Sequence, residues 1–258
     1  MMRQRKIIPG IDDGLLIKDA ARLMPDASRR GFLRGAASLG ALAMLTGCDI
    51  IDGESAEGIL RRISEFNDGA QAALFSRTKL APTYPENAIT RPFPFNGYYD
   101  EEDAPNVDGE TYRLEVAGLV DDRRSWTLDE LHALPEVSQV TRHVCVEGWS
   151  AIGSWQGTPL SEFLNRIGAD TRAKYVWFKC ADGYTNTIDM LTALHPQTQM
   201  TFKFDNQTLP RAYGFPMKIR IPTKLGFKNP KYVTAMEVTN TDKGGFWEDK
   251  GYNWFSGL

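Results

Sequence analysis

The chain is poor in the residues that most often hold metals and covalent bridges: its 258 residues include three cysteines and three histidines. No pair of them has the spacing of a structural zinc site. No Cys-X-X-Cys-His occurs for haem attachment, and neither iron–sulfur spacing nor a flavin motif is present. Internal repeats and glycine-rich nucleotide loops are missing too, which favours a mixed α+β domain over a doubly wound sheet. The apolar run at residues 35–47 falls short of the roughly 20 residues that cross a bilayer as a helix. What is there is ordinary for a globular chain: 42% hydrophobic, 24% charged, net charge -3. That excludes disorder, collagen and a polytopic membrane protein, and leaves room for one or two domains.

The N-terminus reads as an address. Ser28-Arg29-Arg30-Gly31-Phe32-Leu33 precedes the run of small apolar residues, the pattern of a twin-arginine export signal, with Met24 as an alternative start. Leu45-Thr46-Gly47-Cys48 resembles a lipobox. One reading makes Cys48 a lipid anchor; the other makes it a chance cysteine at the end of a signal peptide, with a freely soluble mature chain. The twin-arginine route carries proteins already folded, often around a cofactor, so the expected location is periplasmic and a redox cofactor is expected. The expected division is 1–47 export signal with lipobox, 48–95 helix and Pro-rich arm, and 96–258 catalytic domain.

Along the mature chain, residues 54–76 have helical periodicity with Ile59, Leu60, Ile63 and Phe66 on an apolar face. Pro82, Pro85, Pro92 and Pro94 mark an extended arm. Tyr112, Leu114 and Val116 alternate as a strand, and Thr127 caps a short helix over 128–134 that leaves His132 on the surface. Thr141, His143, Cys145 and Glu147 share one parity of the next strand; Val140, Arg142, Val144 and Val146 share the other. Thr158-Pro159 is expected to open a helix, Thr as N-cap, and Asp182-Gly183 to turn a hairpin between strands at 174–179 and 184–188. Further strands are expected near 200–204, 217–221 and 232–238.

Two segments carry chemistry. With Cys48 set aside, Cys145 and Cys180 allow one disulfide or one soft metal site. Cys145, set among polar and aromatic neighbours in Arg142-His143-Val144-Cys145-Val146-Glu147-Gly148-Trp149-Ser150, looks like the metal ligand. Residues 206–236 hold Arg211, Lys218, Arg220, Lys224, Lys228 and Lys231 without one Asp or Glu. Such a field is either a phosphate-bearing cofactor's seat or a solvated basic face. Six cations in an exported acidic protein make a poor footprint for nucleic acid, which is not expected as a partner.

Together these segments resemble the sulfite oxidase family of molybdenum enzymes over roughly residues 96–240, closest to its bacterial periplasmic methionine sulfoxide reductase branch. The resemblance rests on Asn96-Gly97-Tyr98-Tyr99-Asp100, Arg142, Cys145-Val146-Glu147-Gly148-Trp149-Ser150, Trp155-Gln156-Gly157-Thr158-Pro159-Leu160, Lys174-Tyr175-Val176, His195-Pro196 and Gly226-Phe227-Lys228. It implies a mixed, sheet-rich α+β molybdopterin-binding domain without the C-terminal immunoglobulin-like dimerisation domain, and hence a monomer. Cys145 would bind the metal of a molybdenum-molybdopterin cofactor. Asn96, Tyr99 and Asp100 match cofactor contacts, Cys180 stands where the reductase branch has Thr, and His195 matches a histidine near the cofactor, its alternative being a satisfied buried histidine. Tyr213 and Lys218 replace Asn and Arg of the reductases, and Lys for Arg keeps charge but loses the bidentate fork. Lys228, Asn229 and Lys231 belong to the phosphate-proximal turn.

The implied reaction is oxygen-atom transfer to or from a small-molecule or protein-bound substrate, most simply reduction of an S-oxide or N-oxide. Glu147 would deliver protons, or else pair with Arg142. Electrons would come from a membrane haem protein. Departures at Val144 and in a shortened 182–195 region touch the substrate mouth, so sulfite oxidation at the same cofactor stays open. So does an anion-binding lipoprotein with a Cys145–Cys180 disulfide.

Overall fold

The computed structural model describes residues 53–258, and Arg29, Arg30 and Cys48 lie outside the described residues. Leu60–Leu258 forms one compact unit, which carries two sheets. In one, β1 (Arg113–Gly118), β2 (Trp126–Thr127), β5 (Tyr175–Cys180), β6 (Thr185–Asp189) and β10 (Val233–Thr239) run in the order β2-β1-β10-β5-β6. Only β1 and β10 pair in parallel. The other is antiparallel: β3 (Val137–Val144), β4 (Ser150–Pro159), β7 (Gln199–Phe204) and β8 (Gln207–Thr208) in line, with β9 (Lys218–Arg220) added to β7. This is the mixed, sheet-rich α+β architecture expected.

Alternation explains the first sheet. Leu114 and Val116 of β1 point inward with Tyr112 just before them, as do Val176, Phe178 and Cys180 of β5. They meet Met200, Phe202 and Ile219 from the second sheet and Leu160, Phe163 and Leu164 from α3 (Leu160–Arg166) in one apolar core. The short α2 (Leu128–His132) begins as expected: Thr127 Oγ1 accepts from the Glu130 N–H while the Glu130 carboxylate accepts from the Thr127 N–H, a reciprocal capping box.

Three elements depart from expectation. β4 runs through Thr158 to Pro159, so Thr158 is a buried strand residue and Pro159 holds the cap position of α3 with no side-chain cap bond. The pairing of β4 with β7 overrides the local helix-start signal. β3 ends at Val144, short of the Cys145, Val146 and Glu147 expected on it, and its buried parity is the polar one, Gln139, Thr141 and His143, whereas Arg142 is exposed. A strand that turns polar groups inward is building something other than core.

The first helix, α1 (Gly53–Leu74), also reverses the expected orientation. Leu60, Ile63 and Phe66 are exposed, and the helix is joined to residues 253–257 by polar groups. Asp68 accepts from the Trp254 and Phe255 N–H groups, and Gln71 Oε1 accepts from the Gly257 N–H at 2.9 Å. No helix among the described residues is long and apolar enough to cross a membrane. The fourth helix, α4 (Met190–Ala193), is a single turn capped by Asp189.

Candidate functional site

β3 and β4 are joined by a tight loop in which the Cys145 N–H donates to Trp149 O (2.9 Å) and the Gly148 N–H to Cys145 O (3.2 Å). Gly148 has φ +98, a backbone that disfavours any side chain there. This loop places Cys145 in the lining of an open cleft. The Asn96 amide Nδ2 lies 3.9 Å from Cys145 Sγ, a donor aimed at the sulfur. Burial pushes the Cys145 thiol up from its ordinary value, as does the nearby Glu147 carboxylate.

The 182 turn closes one wall. Tyr99 donates its hydroxyl to Asp182 Oδ2 (2.9 Å), Tyr98 to Asp182 O (2.8 Å), and Asp182 Oδ1 accepts from the Tyr184 N–H (3.0 Å). Desolvation and the Asp182 charge hold Tyr98 up at about 12 and raise Tyr99 as well, so both stay protonated donors. Val146, Phe227 and Trp247 add an apolar rim. Glu147 lines the mouth, its Oε2 accepting from Trp149 Nε1 at 2.8 Å. Arg142 is not its partner: the guanidinium lies on the other face of β3, over the Tyr84 ring at 5.2 Å.

Behind the cleft lies a layer rich in donors. Lys218 and Arg220 are buried on β9 and Lys231 follows the 226–229 turn, yet none forms an ion pair with a carboxylate among the described residues. Lys218 makes no hydrogen bond there; its ammonium sits 4.9 Å from the Trp155 ring centroid. Arg220 donates to Asn229 Oδ1 (2.8 Å) and Arg142 O (2.6 Å) but leaves Nε unpartnered. Lys231 has only Ala212 O (3.1 Å) and the Phe95, Tyr99 and Tyr232 rings. Both His143 ring nitrogens and Trp155 Nε1 are buried without a partner. Desolvation lowers Lys231 to about 8, Arg220 to about 9 and Lys218 well below its usual value, and mutual repulsion adds to the last. His143 is driven well below its usual value by burial and by these same three cations.

Buried polar groups are normally satisfied and buried charges paired. Unmatched donors beside a buried thiol therefore fit an anion whose other end reaches Cys145. Among the described residues no group of three or more His, Cys, Asp or Glu is placed to hold a metal, so a metal at Cys145 takes most of its ligands from elsewhere. A phosphate-bearing metal cofactor meets both conditions.

Several residues expected at the site are elsewhere. Cys180 is buried in the apolar core beside Val176 and Phe178, does not line the cleft, and is a free thiol like Cys145. Its parity on β5 dictates this. His195 is a satisfied buried histidine: Nδ1 accepts from the Gln197 N–H (3.2 Å), so Nε2 carries the hydrogen donated to Lys79 O (3.1 Å). Lys228 turns away to pair with Glu248 and to donate to Thr187 O at 2.8 Å, because a buried ammonium takes the nearest carboxylate. Tyr213 donates to Phe93 O at 2.6 Å within a separate aromatic cluster, and Asp100 is exposed. Asn229 lines the cleft with its amide already bonded to Arg220, Ile221 and Leu225. Sequence reading gave His143 and Tyr184 no role at the site, read Asp182 only as a turn residue, and counted Arg220 only as one cation of the basic segment. The strand parity shared with Cys145 was the available signal for His143.

The oxidoreductase molybdopterin-binding domain family matches residues 101–247. A putative protein-methionine-sulfoxide reductase subunit, YedZ1, of Azospira oryzae is 60% identical over 93% of this chain and 92% of its own length. The protein-methionine-sulfoxide reductase catalytic subunit MsrP of Ralstonia nicotianae is 28% identical, over 62% of this chain and 57% of its own. Among solved structures, the sulfane dehydrogenase SoxCD of Paracoccus pantotrophus superposes with a TM-score of 0.51 at 18% identity, covering 54% of this chain and 40% of that one, a likeness of fold. The chain belongs to the molybdopterin-binding oxidoreductase family, with a sulfite-oxidase-like fold. It is an oxidoreductase, and its cofactor is molybdopterin.

Proposed function

We propose that this protein is a periplasmic reductase of S-oxides, methionine sulfoxide in small molecules or proteins above all, exported folded by the twin-arginine route, tethered through Cys48, acting as a monomer and drawing electrons from a membrane haem protein. The observation that carries the chemistry is the free thiol of Cys145 in the lining of a cleft that has Lys231 in its wall and the buried, unpaired Lys218 and Arg220 behind it. When bound, molybdenum-molybdopterin supplies two-electron oxygen-atom transfer. Cys145 would supply a thiolate to the metal, with the Asn96 amide orienting that sulfur, and Lys218 and Lys231 would hold the anionic end, with Asn229 fixing Arg220 beside them and Tyr99 lining the cleft.

Reducing a sulfoxide consumes two electrons and two protons and releases water. Of the two carboxylates lining the cleft, Asp182 has both oxygens occupied within the 182 turn, whereas Glu147 is exposed at the mouth, beside the Cys145 thiol and held by the Trp149 indole. Glu147 is therefore the proton donor at the mouth, and the Trp149 indole fixes its direction. The rim of Tyr98, Val146, Phe227 and Trp247 suits a thioether-like group, since sulfur packs well against aromatic rings. Sulfite is a poorer fit: Lys231 is the one cation among the lining residues, against two carboxylates.

The test is protein from a host able to make molybdopterin, with molybdenum and pterin measured per chain and turnover followed with a reduced dye on methionine sulfoxide and, in the opposite direction, on sulfite. About one molybdenum per chain, its spectroscopic signature changed in Cys145→Ser, and a sulfoxide activity lost in Glu147→Gln with metal retained are expected. Well-folded wild type without molybdenum sinks the reading, and faster sulfite turnover reverses the direction.

A further inference from the structure

His143 lies outside the set of positions that carry the family likeness, yet no other side chain in the donor layer is so incompletely explained by the protein around it. It is 1% exposed, and both ring nitrogens are buried without a partner. Losing one such hydrogen bond is costly and losing two on one ring is rare. Its neighbours do not compensate: Phe93 and Trp149 offer ring faces at 6.1 and 5.7 Å between centroids. The nearest charged groups are the cations Lys218, Arg220 and Lys231, which have no acceptor to give a ring N–H.

The fold nevertheless keeps the ring in place. A Cβ at Gly226 would fall 2.6 Å from His143 Nε2, so glycine there leaves room for the imidazole. Gly226 is itself part of the cleft wall, and His143 stands near the end of β3, two residues before Cys145. The ring therefore lies directly behind Gly226, within reach of the charges of Lys218, Arg220 and Lys231.

We infer that His143 is a cofactor-binding residue: its N–H donates to the anionic end of the bound pterin cofactor, adding a donor to the Lys218–Arg220–Lys231 layer. This rests on the molybdopterin reading of the site. The ring is an unsatisfied group in the empty chain and a satisfied one in the loaded chain, so its replacement has opposite effects on the two. His143→Phe removes the donor and keeps a planar ring; His143→Gln keeps a donor.

The experiment compares wild type, His143→Phe and His143→Gln, each made with and without molybdopterin synthesis in the host, by thermal melting and by the rate at which pterin and molybdenum are released from the loaded chain. Cofactor release is expected to be roughly tenfold or more faster in His143→Phe, the loss of a hydrogen bond to a charged group, and within about threefold of wild type in His143→Gln. The cofactor-free His143→Phe chain should melt no lower than cofactor-free wild type. Equal destabilisation of loaded and empty chains would make His143 a packing residue and overturn the inference, as would unchanged release in His143→Phe. Wild type that carries neither pterin nor molybdenum overturns the cofactor reading itself, an outcome visible before any variant is compared.

Discussion

A lysine buried without a carboxylate partner among the described residues should leave a mark on the pH dependence of the cofactor-free protein. Lys231 is 8% exposed and is lowered from 10.5 to about 8, chiefly by desolvation, with Asp182 and Glu101 pulling weakly the other way. In the unfolded chain the ammonium keeps its proton up to 10.5, while in the fold it keeps it only to about 8. Between those values the unfolded state binds more protons, so stability rises with pH. Below 8 both states are charged and the penalty is full; above 10.5 both are neutral and it has vanished. A shift of this size corresponds to about 3 kcal/mol. Cofactor-free wild type should therefore gain up to that amount of unfolding free energy between pH 8 and 10.5, and Lys231→Met should show a slope shallower by the same amount. Denaturant titrations at stepped pH measure both. In the loaded protein the bound anion should raise Lys231 again and flatten the slope. Identical slopes in wild type and Lys231→Met would refute the claim that this cation is held at a desolvation cost.

Two further predictions concern the frame around the site. Glu248→Gln leaves the Lys228 ammonium, 1% exposed, without its carboxylate, and should cost about 3–5 kcal/mol in chemical denaturation; a loss below about 1 kcal/mol would show that the pair is not buried as described. Gly157→Ala places a Cβ 1.9 Å from Met200 O, where β4 shifts register against β7, and should cost more than about 4 kcal/mol or prevent folding. Soluble expression with a wild-type melting temperature would contradict it.

The parts of the molecule readable from sequence are those decided by neighbours along the chain. The Thr127–Glu130 box, the alternation of β1 and the 182–183 turn fall in this class, whereas the Cys145 loop does not: the alternation runs on through Glu147 although β3 ends at Val144. Cys180 was also readable, since it shares a parity with Val176 and Phe178 on the buried face of β5. Lys228 was not readable, because its partner Glu248 arrives from a turn twenty residues later and nothing in the cationic segment announces it. The side on which α1 attaches was hidden for a different reason: periodicity shows which residues share a face but not which face the rest of the protein holds. The functional layer was half legible, its cations by composition and its lack of carboxylates only in three dimensions.

The attachment of α1 through Asp68 and Gln71 also sets an order of opening. Phe255 is buried and packs edge-on against Phe75 at 5.6 Å, so residues 253–257 are fastened by apolar contact, while the helix is fastened to them by bonds that water can replace. Segments held this way open locally at low free energy. The helix should then exchange its amide hydrogens and meet proteases well ahead of the sheets, without disturbing the tail it rests on. It behaves as a releasable strut at the entrance to the domain, free to swing its exposed leucine and phenylalanine side chains while the chemistry behind it stays rigid.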